Sequence, residues 1–229
     1  MPFIDRTDAG RQLAKALARY KNQRPVVLAL PRGGVPVAAE VANALDAPLD
    51  LILVRKIGVP SQPELAMGAV VDGAEPVVVR NEEVIQLTGV SESDFNAIRD
   101  EQLAEIERRR KLYLGDRPHP KLSGRTVIVV DDGIATGATT RAALHAIGKR
   151  KPAKLVLAVP VAPTHTLQTL RGEVDDLVCL EDFVDFGAIG LFYSDFRQVS
   201  DAEVIALLAK HPVKSPAACY KPDPEFTCR

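Results

Sequence analysis

Residues 126–149 read TVIVVDDGIATGATTRAALHAIGK, and this stretch decides the fold. Residues 126–130 are β-branched throughout, the pattern of a strand covered on both faces. Two carboxylates, Asp131 and Asp132, follow at once, then a glycine–threonine loop, then a helix over 139–149. A buried-type strand running through a polar loop into a helix is half of a βαβ unit in a parallel sheet. Open α/β sheets bind ligands outside the carboxyl ends of their strands, so the chemistry is expected at 131–140. Adjacent carboxylates there can accept hydrogen bonds from vicinal hydroxyls, or help hold a hydrated divalent ion. The loop behind them offers backbone N–H groups, threonine hydroxyls and a helix N-terminus, all suited to a phosphate. Diol plus phosphate points to a ribose 5-phosphate. Ala138 follows Gly137 where a nucleotide triphosphatase loop needs lysine, which excludes that class.

Working outward, VVLALP at 26–31 is a second buried-type strand, ending in Arg32-Gly33-Gly34 and followed by a helix over 35–45. LDLILVR at 49–55 is the next strand, and two more are expected within 66–80, joined by a glycine turn. Helices are expected over 8–21, 91–115 and 201–210, and strands over 154–160 and 173–180. Such alternation predicts an α/β fold of three layers, helices on both faces of a central, mostly parallel sheet. The RRRK run at 108–111 closes a helix whose acids lie near its start. It reads as a solvated helix end rather than a phosphate or RNA contact.

The chain has 229 residues, 29 basic and 30 acidic side chains and a formal net charge of -1. That balance gives no general attraction to nucleic acid or an anionic membrane. Neither a secretory signal nor a membrane-spanning apolar run is visible, so a cytoplasmic location is expected. Cys179, Cys219 and Cys228 lack metal-ligand spacing and are expected to be reduced, with Cys179 a small core residue. No serine–histidine–acid or cysteine–histidine arrangement is evident.

The run Asp131-Asp132-x-x-x-Thr136-Gly137-x-Thr139 resembles the phosphoribosyl-diphosphate signature of the type I phosphoribosyltransferases. The likeness covers roughly 25–200 and is nearest to a branch of that family whose acceptor the motifs do not define. It implies one catalytic domain over 1–210, with a small C-terminal hood at 181–200 and a tail at 211–229. The implied reaction displaces pyrophosphate from 5-phosphoribosyl 1-diphosphate by a nitrogen of a purine, pyrimidine or other base, with Mg2+ assisting. Asp131 and Asp132 would hold the ribose hydroxyls and the metal. Ala135, Thr136, Gly137, Ala138, Thr139 and Thr140 would surround the 5-phosphate. Arg32, Gly33 and Gly34 would bind pyrophosphate, through a loop that in relatives often holds a strained or cis peptide. Arg55, Lys56 and Arg197 are its further cations, and the catalytic set is Asp131, Asp132, Arg32 and Lys56. Glu64 is a candidate acid, base or member of a metal network. Phe186, Phe192 or Tyr193 would stack on the acceptor, and a homodimer is expected.

Two departures blur the acceptor: Ala135 stands where the hypoxanthine-guanine branch has an aspartate, and 160–164 lacks that branch's lysine. A third concerns the closing loop: orotate-using relatives carry a cation there, and no lysine or histidine lies between Gly58 and Met67. A non-catalytic donor-sensing or RNA-binding regulator on the same scaffold is the alternative. Donor synthesis fits less well, since no ATP site accompanies the ribose-phosphate loop.

Overall fold

The computed structural model describes residues 3–73 and 76–211. In chain order its elements are α1 (Arg6–Ala16), β1 (Val26–Ala29), α2 (Gly34–Leu45), β2 (Leu49–Leu51), β3 (Val54–Val59), β4 (Gln62–Val71), β5 (Val77–Arg80) and α3 (Glu82–Thr88). There follow α4 (Glu92–Leu114), β6 (Thr126–Val130), α5 (Ala138–Gly148), β7 (Lys154–Pro163), α6 (Thr164–Leu170), β8 (Asp176–Phe183) and α7 (Asp201–Ala209). Most of the 211–229 tail, with Cys219 and Cys228, lies outside the described residues.

Five parallel strands form the central sheet in the order β2-β1-β6-β7-β8. Strand residues alternate between its two faces. Val27, Ala29, Ile128 and Val130 join Leu13, Val41 and Val204, from α1, α2 and α7, in one core. Val26, Leu28, Val127 and Val129 join Ala143, Leu144 and Ile147 of α5, and Leu167 of α6, in the other. The expected three layers are therefore present, and β1, β6 and β7 are buried along almost their whole length.

The expected strand over 49–55 is two strands in two sheets. β2 ends at Leu51, and Arg55 and Lys56 lie on β3, in a separate antiparallel sheet ordered β3-β4-β5. An unpatterned apolar run gives no sign of where a chain changes sheets. The register breaks at Gly58, where an added Cβ would sit 2.4 Å from the Pro63 carbonyl oxygen. Ile57, Val59 and Met67 anchor this hairpin in the core, while Pro60 to Glu64 are exposed at its tip. α3 was not expected. Asn81 caps it by accepting from the Val84 amide, and Gly89 ends it at φ 65. The arginine run of α4 is paired along its own helix. Glu105 takes Arg108 and Arg109 at 2.7 Å each, and Arg110 reaches Glu107 at 3.1 Å. Those hydrogen bonds, from Arg108 first, hold the Glu105 carboxyl down at about 2.

A buried ionic cluster joins the two sheets away from the 131–140 loop. Asp50 of β2, 2% exposed, meets His119 Nδ1 at 2.8 Å, and Asp72 and the Arg150 side chain lie beside them. The Asp50 hydrogen bond raises the His119 imidazole against its burial, with Asp72 adding and Arg110 opposing. Burial raises the Asp72 carboxyl. Both groups hold protons more tightly folded than unfolded, so each contributes stability that disappears as pH rises through its folded value. For His119 the contribution is complete below the usual imidazole range, about 6.5. Urea unfolding should therefore show a lower midpoint at pH 8.5 than at pH 6, with a smaller difference in His119→Gln. An identical pH slope in that variant would contradict this account.

Candidate active site

Chain connectivity reverses direction between β1 and β6, which are adjacent and parallel, with Ala29 beside Val130. A crevice opens at such a switch point. Its two lips are residues 30–34 and 131–137. The Leu30 amide donates to the Val130 carbonyl at 2.9 Å, so the lips stay together beyond the last paired residues. The Pro31–Arg32 peptide bond is cis. Two glycines then allow an approach no side chain would permit. An added Cβ on Gly33 would lie 2.1 Å from Asp132 Oδ2, and one on Gly34 would lie 2.8 Å from the Val130 carbonyl oxygen.

On the facing lip, the Asp132 amide donates to Asp131 Oδ1 at 2.9 Å. Burial, and then the neighbouring Asp132 carboxylate, push the Asp131 carboxyl well above the usual range. Gly137 starts α5 at φ 75, and an added Cβ there would stand 2.9 Å from Thr166 Cγ2. Thr166 also donates to the Ala135 carbonyl at 2.9 Å, so α6 braces the loop from behind. Ala135, Thr136, Ala138 and Thr139 face solvent, whereas Thr140 is buried. The first-turn amides of α5 have no intrahelical acceptor, and they open on the exposed side of the loop. Chemically, the crevice offers carboxylate acceptors at one end and amide and hydroxyl donors at the other.

Other expected site residues are placed less uniformly. Arg32 lies in the crevice lip, with its guanidinium 3.4 Å from Asp201 Oδ1 at the start of α7. Tyr113 donates to the same carboxylate at 2.6 Å. Arg55 donates to Gln102 of α4 at 3.0 Å. Lys56 pairs with Glu64 at 3.0 Å across the β3–β4 hairpin, so those two side chains neutralise each other. Arg197 is turned to Glu203 at 2.8 Å and Asp195 at 3.6 Å rather than toward residues 31–34.

The 181–200 segment, expected as a hood, packs against residues near the N-terminus. Phe3 forms a parallel bridge with Tyr193, its amide donates to the Phe192 carbonyl at 2.7 Å, and its carbonyl accepts from Ser194 at 2.8 Å. Tyr193 is buried, and its hydroxyl donates to the Asp132 carbonyl at 2.5 Å. Its ring is therefore a support for the acidic pair, not an open stacking surface. Phe186 and Phe192 stack on each other at 5.0 Å, and Phe183 lies 4.6 Å from Phe192. Ile189 closes against Gly133, where an added Cβ would meet its Cγ2 at 2.6 Å.

Sequence reasoning missed Arg6. Its Nε donates to Asp132 Oδ2 at 2.7 Å, with both side chains 11% exposed. A local pattern gives no hint of a partner 126 positions away. Among the described residues no group of three or more histidine, cysteine, aspartate or glutamate side chains is arranged to hold a metal ion. With Asp132 Oδ2 taken by Arg6, the acidic pair is no closed cage. An ion held there would need most of its ligands from water or a bound ligand.

A parallel sheet whose switch point carries an acidic pair and a glycine–threonine loop places the chain among the α/β proteins. The sequence model of the phosphoribosyl transferase domain matches residues 5–193, and the chain belongs to that family. It is 47% identical over 206 residues to a Mycobacterium tuberculosis protein named "Putative phosphoribosyl transferase Rv0571c", covering 90% of this chain and 46% of the relative. The chain thus spans about half the length of the curated relatives it matches. The crystal structure of TT1426 from Thermus thermophilus is 40% identical, with a TM-score of 0.81 over 93% of this chain and 100% of that one. No helix among the described residues is long and apolar enough to cross a membrane.

Proposed function

We propose that this protein transfers a 5-phosphoribosyl group from 5-phosphoribosyl 1-diphosphate to a ring nitrogen of a purine, pyrimidine or other flat base. The observation that carries this reading is the meeting of the 31–34 and 131–140 loops across one crevice, with Gly33 set against Asp132. Asp131 and Asp132 accept hydrogen bonds from the two ribose hydroxyls. The α5 amides and the hydroxyls of Thr136 and Thr139 hold the 5-phosphate, with Ala135, Gly137 and Ala138 supplying backbone and Thr140 supporting from within. Gly33 and Gly34 let the first lip close on Asp132 and Val130, which brings the pyrophosphate site beside the ribose site, and Arg32 supplies positive charge there.

The C1–oxygen bond to pyrophosphate breaks as the acceptor nitrogen bonds C1, and the acceptor's proton passes to solvent or to the departing diphosphate. Bound Mg2+ supplies charge neutralisation on that diphosphate. The protein's own part is orientation and electrostatic stabilisation, with no covalent nucleophile. Phe186 and Phe192 are the rings available to an acceptor. Lys56 and Glu64 sit on a hairpin whose exposed tip is suited to cover the bound donor. Residues 160–163, buried in β7, offer no charged group to read the acceptor's edge.

Pyrophosphate release, assayed with a panel of purines, pyrimidines and pyridine bases, tests the reaction. Release with at least one acceptor, dependent on the donor, is the expected result. Donor binding without release for any acceptor, together with tight RNA binding, would replace this reading with that of a regulator.

A further inference from the structure

Arg6 makes three contacts that no other side chain of the described residues combines. Its Nε holds Asp132 Oδ2 at 2.7 Å, and a terminal nitrogen donates to the Arg197 carbonyl at 2.8 Å. Its guanidinium lies over the Phe196 ring at 3.9 Å from the centroid. Phe196 in turn contacts Tyr193 at 5.0 Å, and the Tyr193 hydroxyl holds the Asp132 carbonyl. The family match ends at residue 193, so Phe196 and Arg197 lie beyond it. Resting on the transferase reading above, we propose that Arg6 is a positioning residue of the donor site, a charged latch that fastens the hood to the acidic pair.

The physical reasons are reach, rigidity and charge. A guanidinium is a planar fork that can bond in two directions while its face rests on an aromatic ring; an ammonium cannot. Asp132 Oδ2 lies between this fork and the Gly33 backbone, which fixes the carboxylate's orientation. Among the described residues Asp132 Oδ1 receives no hydrogen bond, so it is the atom left for a ribose hydroxyl. The donor is a polyanion arriving at two adjacent carboxylates. Arg6 offsets one of those charges in a place where water screens little, because both partners are almost fully covered. Without it, more of that repulsion must be met by the divalent cation that accompanies the diphosphate. The N-terminal segment is fastened to the hood by backbone bonds next to this contact, Ser194 to Phe3 at 2.8 Å and Asp195 to Ile4 at 2.9 Å. Order in the hood and orientation of Asp132 are thereby one event.

The test compares Arg6→Gln and Arg6→Lys with the wild type in two measurements. Calorimetric titration with 5-phosphoribosyl 1-diphosphate is run at limiting and at saturating magnesium. Arg6→Gln should bind about tenfold more weakly at limiting magnesium, a loss expected of one charge-assisted contact, and should recover most of it at saturation. Arg6→Lys should fall between. Hydrogen exchange of the ligand-free protein should show faster exchange across 183–196 in Arg6→Gln, with the central strands unchanged. Because Arg6 acts through Asp132, Arg6→Gln/Asp132→Asn should bind the donor no more weakly than Asp132→Asn alone. Wild-type donor affinity at both magnesium levels with unaltered hood exchange would overturn the latch. So would a loss that magnesium does not relieve, or additive losses in the double variant. If the wild type itself binds no donor, the transferase reading fails, and hood exchange alone still decides whether Arg6 is a latch.

Discussion

Asp131→Asn should lower affinity for 5-phosphoribosyl 1-diphosphate by about 5- to 150-fold, the cost of leaving a covered polar group without its hydrogen-bond partner. The fold should persist. The only described protein hydrogen bond to this side chain comes from the Asp132 amide at 2.9 Å, and an asparagine oxygen accepts it equally well. What asparagine cannot supply is a second oxygen: its NH2 group cannot accept a hydrogen bond from a ribose hydroxyl. The two acids are not interchangeable. Asp132 is 11% exposed and paired with Arg6. Asp132→Asn should therefore lose stability as well as binding, because it leaves a covered guanidinium without its counter-charge. Calorimetric titration beside thermal melting separates the effects. Unchanged donor affinity in Asp131→Asn would remove the ribose assignment.

Gly33→Ala should cost both donor binding and stability. Its new methyl group would fall 2.1 Å from Asp132 Oδ2, far inside contact distance. The carboxylate cannot simply withdraw, since Arg6 holds the same oxygen at 2.7 Å. Either the 31–34 loop shifts or the Arg6–Asp132 pair separates, and each outcome disturbs the crevice. Such overpacking costs about 1–3 kcal/mol, and donor affinity should fall by about tenfold or more if one charge-assisted contact is misplaced. Gly148→Ala is the matched control. It changes the last residue of α5, where an added Cβ meets nothing within 4 Å. That variant should bind donor as the wild type does. Gly33→Ala indistinguishable from it would show that the close approach of the two loops is unimportant.

The central sheet was legible because its strands carry their own signals. TVIVV and VVLALP are apolar runs too short for helices, and each leads into a polar loop and then a helical repeat. Parallel pairing of two such units brings 31–34 and 131–140 together, so the crevice follows from local patterns and a topological rule. The rest depended on contacts that local patterns do not encode. LDLILVR offered no break at Leu51, although the chain leaves one sheet there and enters another. Nothing in MPFI marks Phe3 and Ile4 as partners of 192–195. Tyr193 and Phe192 looked equivalent, yet Tyr193 turns inward to Asp132 and Phe192 stacks with Phe186. Arg197 had the right chemistry, but Glu203, in the capping box of α7, takes its guanidinium.

The central claim is that this crevice binds a phosphoribosyl donor, and equilibrium titration of the wild-type protein with 5-phosphoribosyl 1-diphosphate and magnesium tests it most directly. Saturable binding at one site per chain is predicted, displaced by ribose 5-phosphate and weakened in Asp131→Asn. Absence of saturable binding, or binding indifferent to both ribose 5-phosphate and the Asp131 substitution, would contradict it.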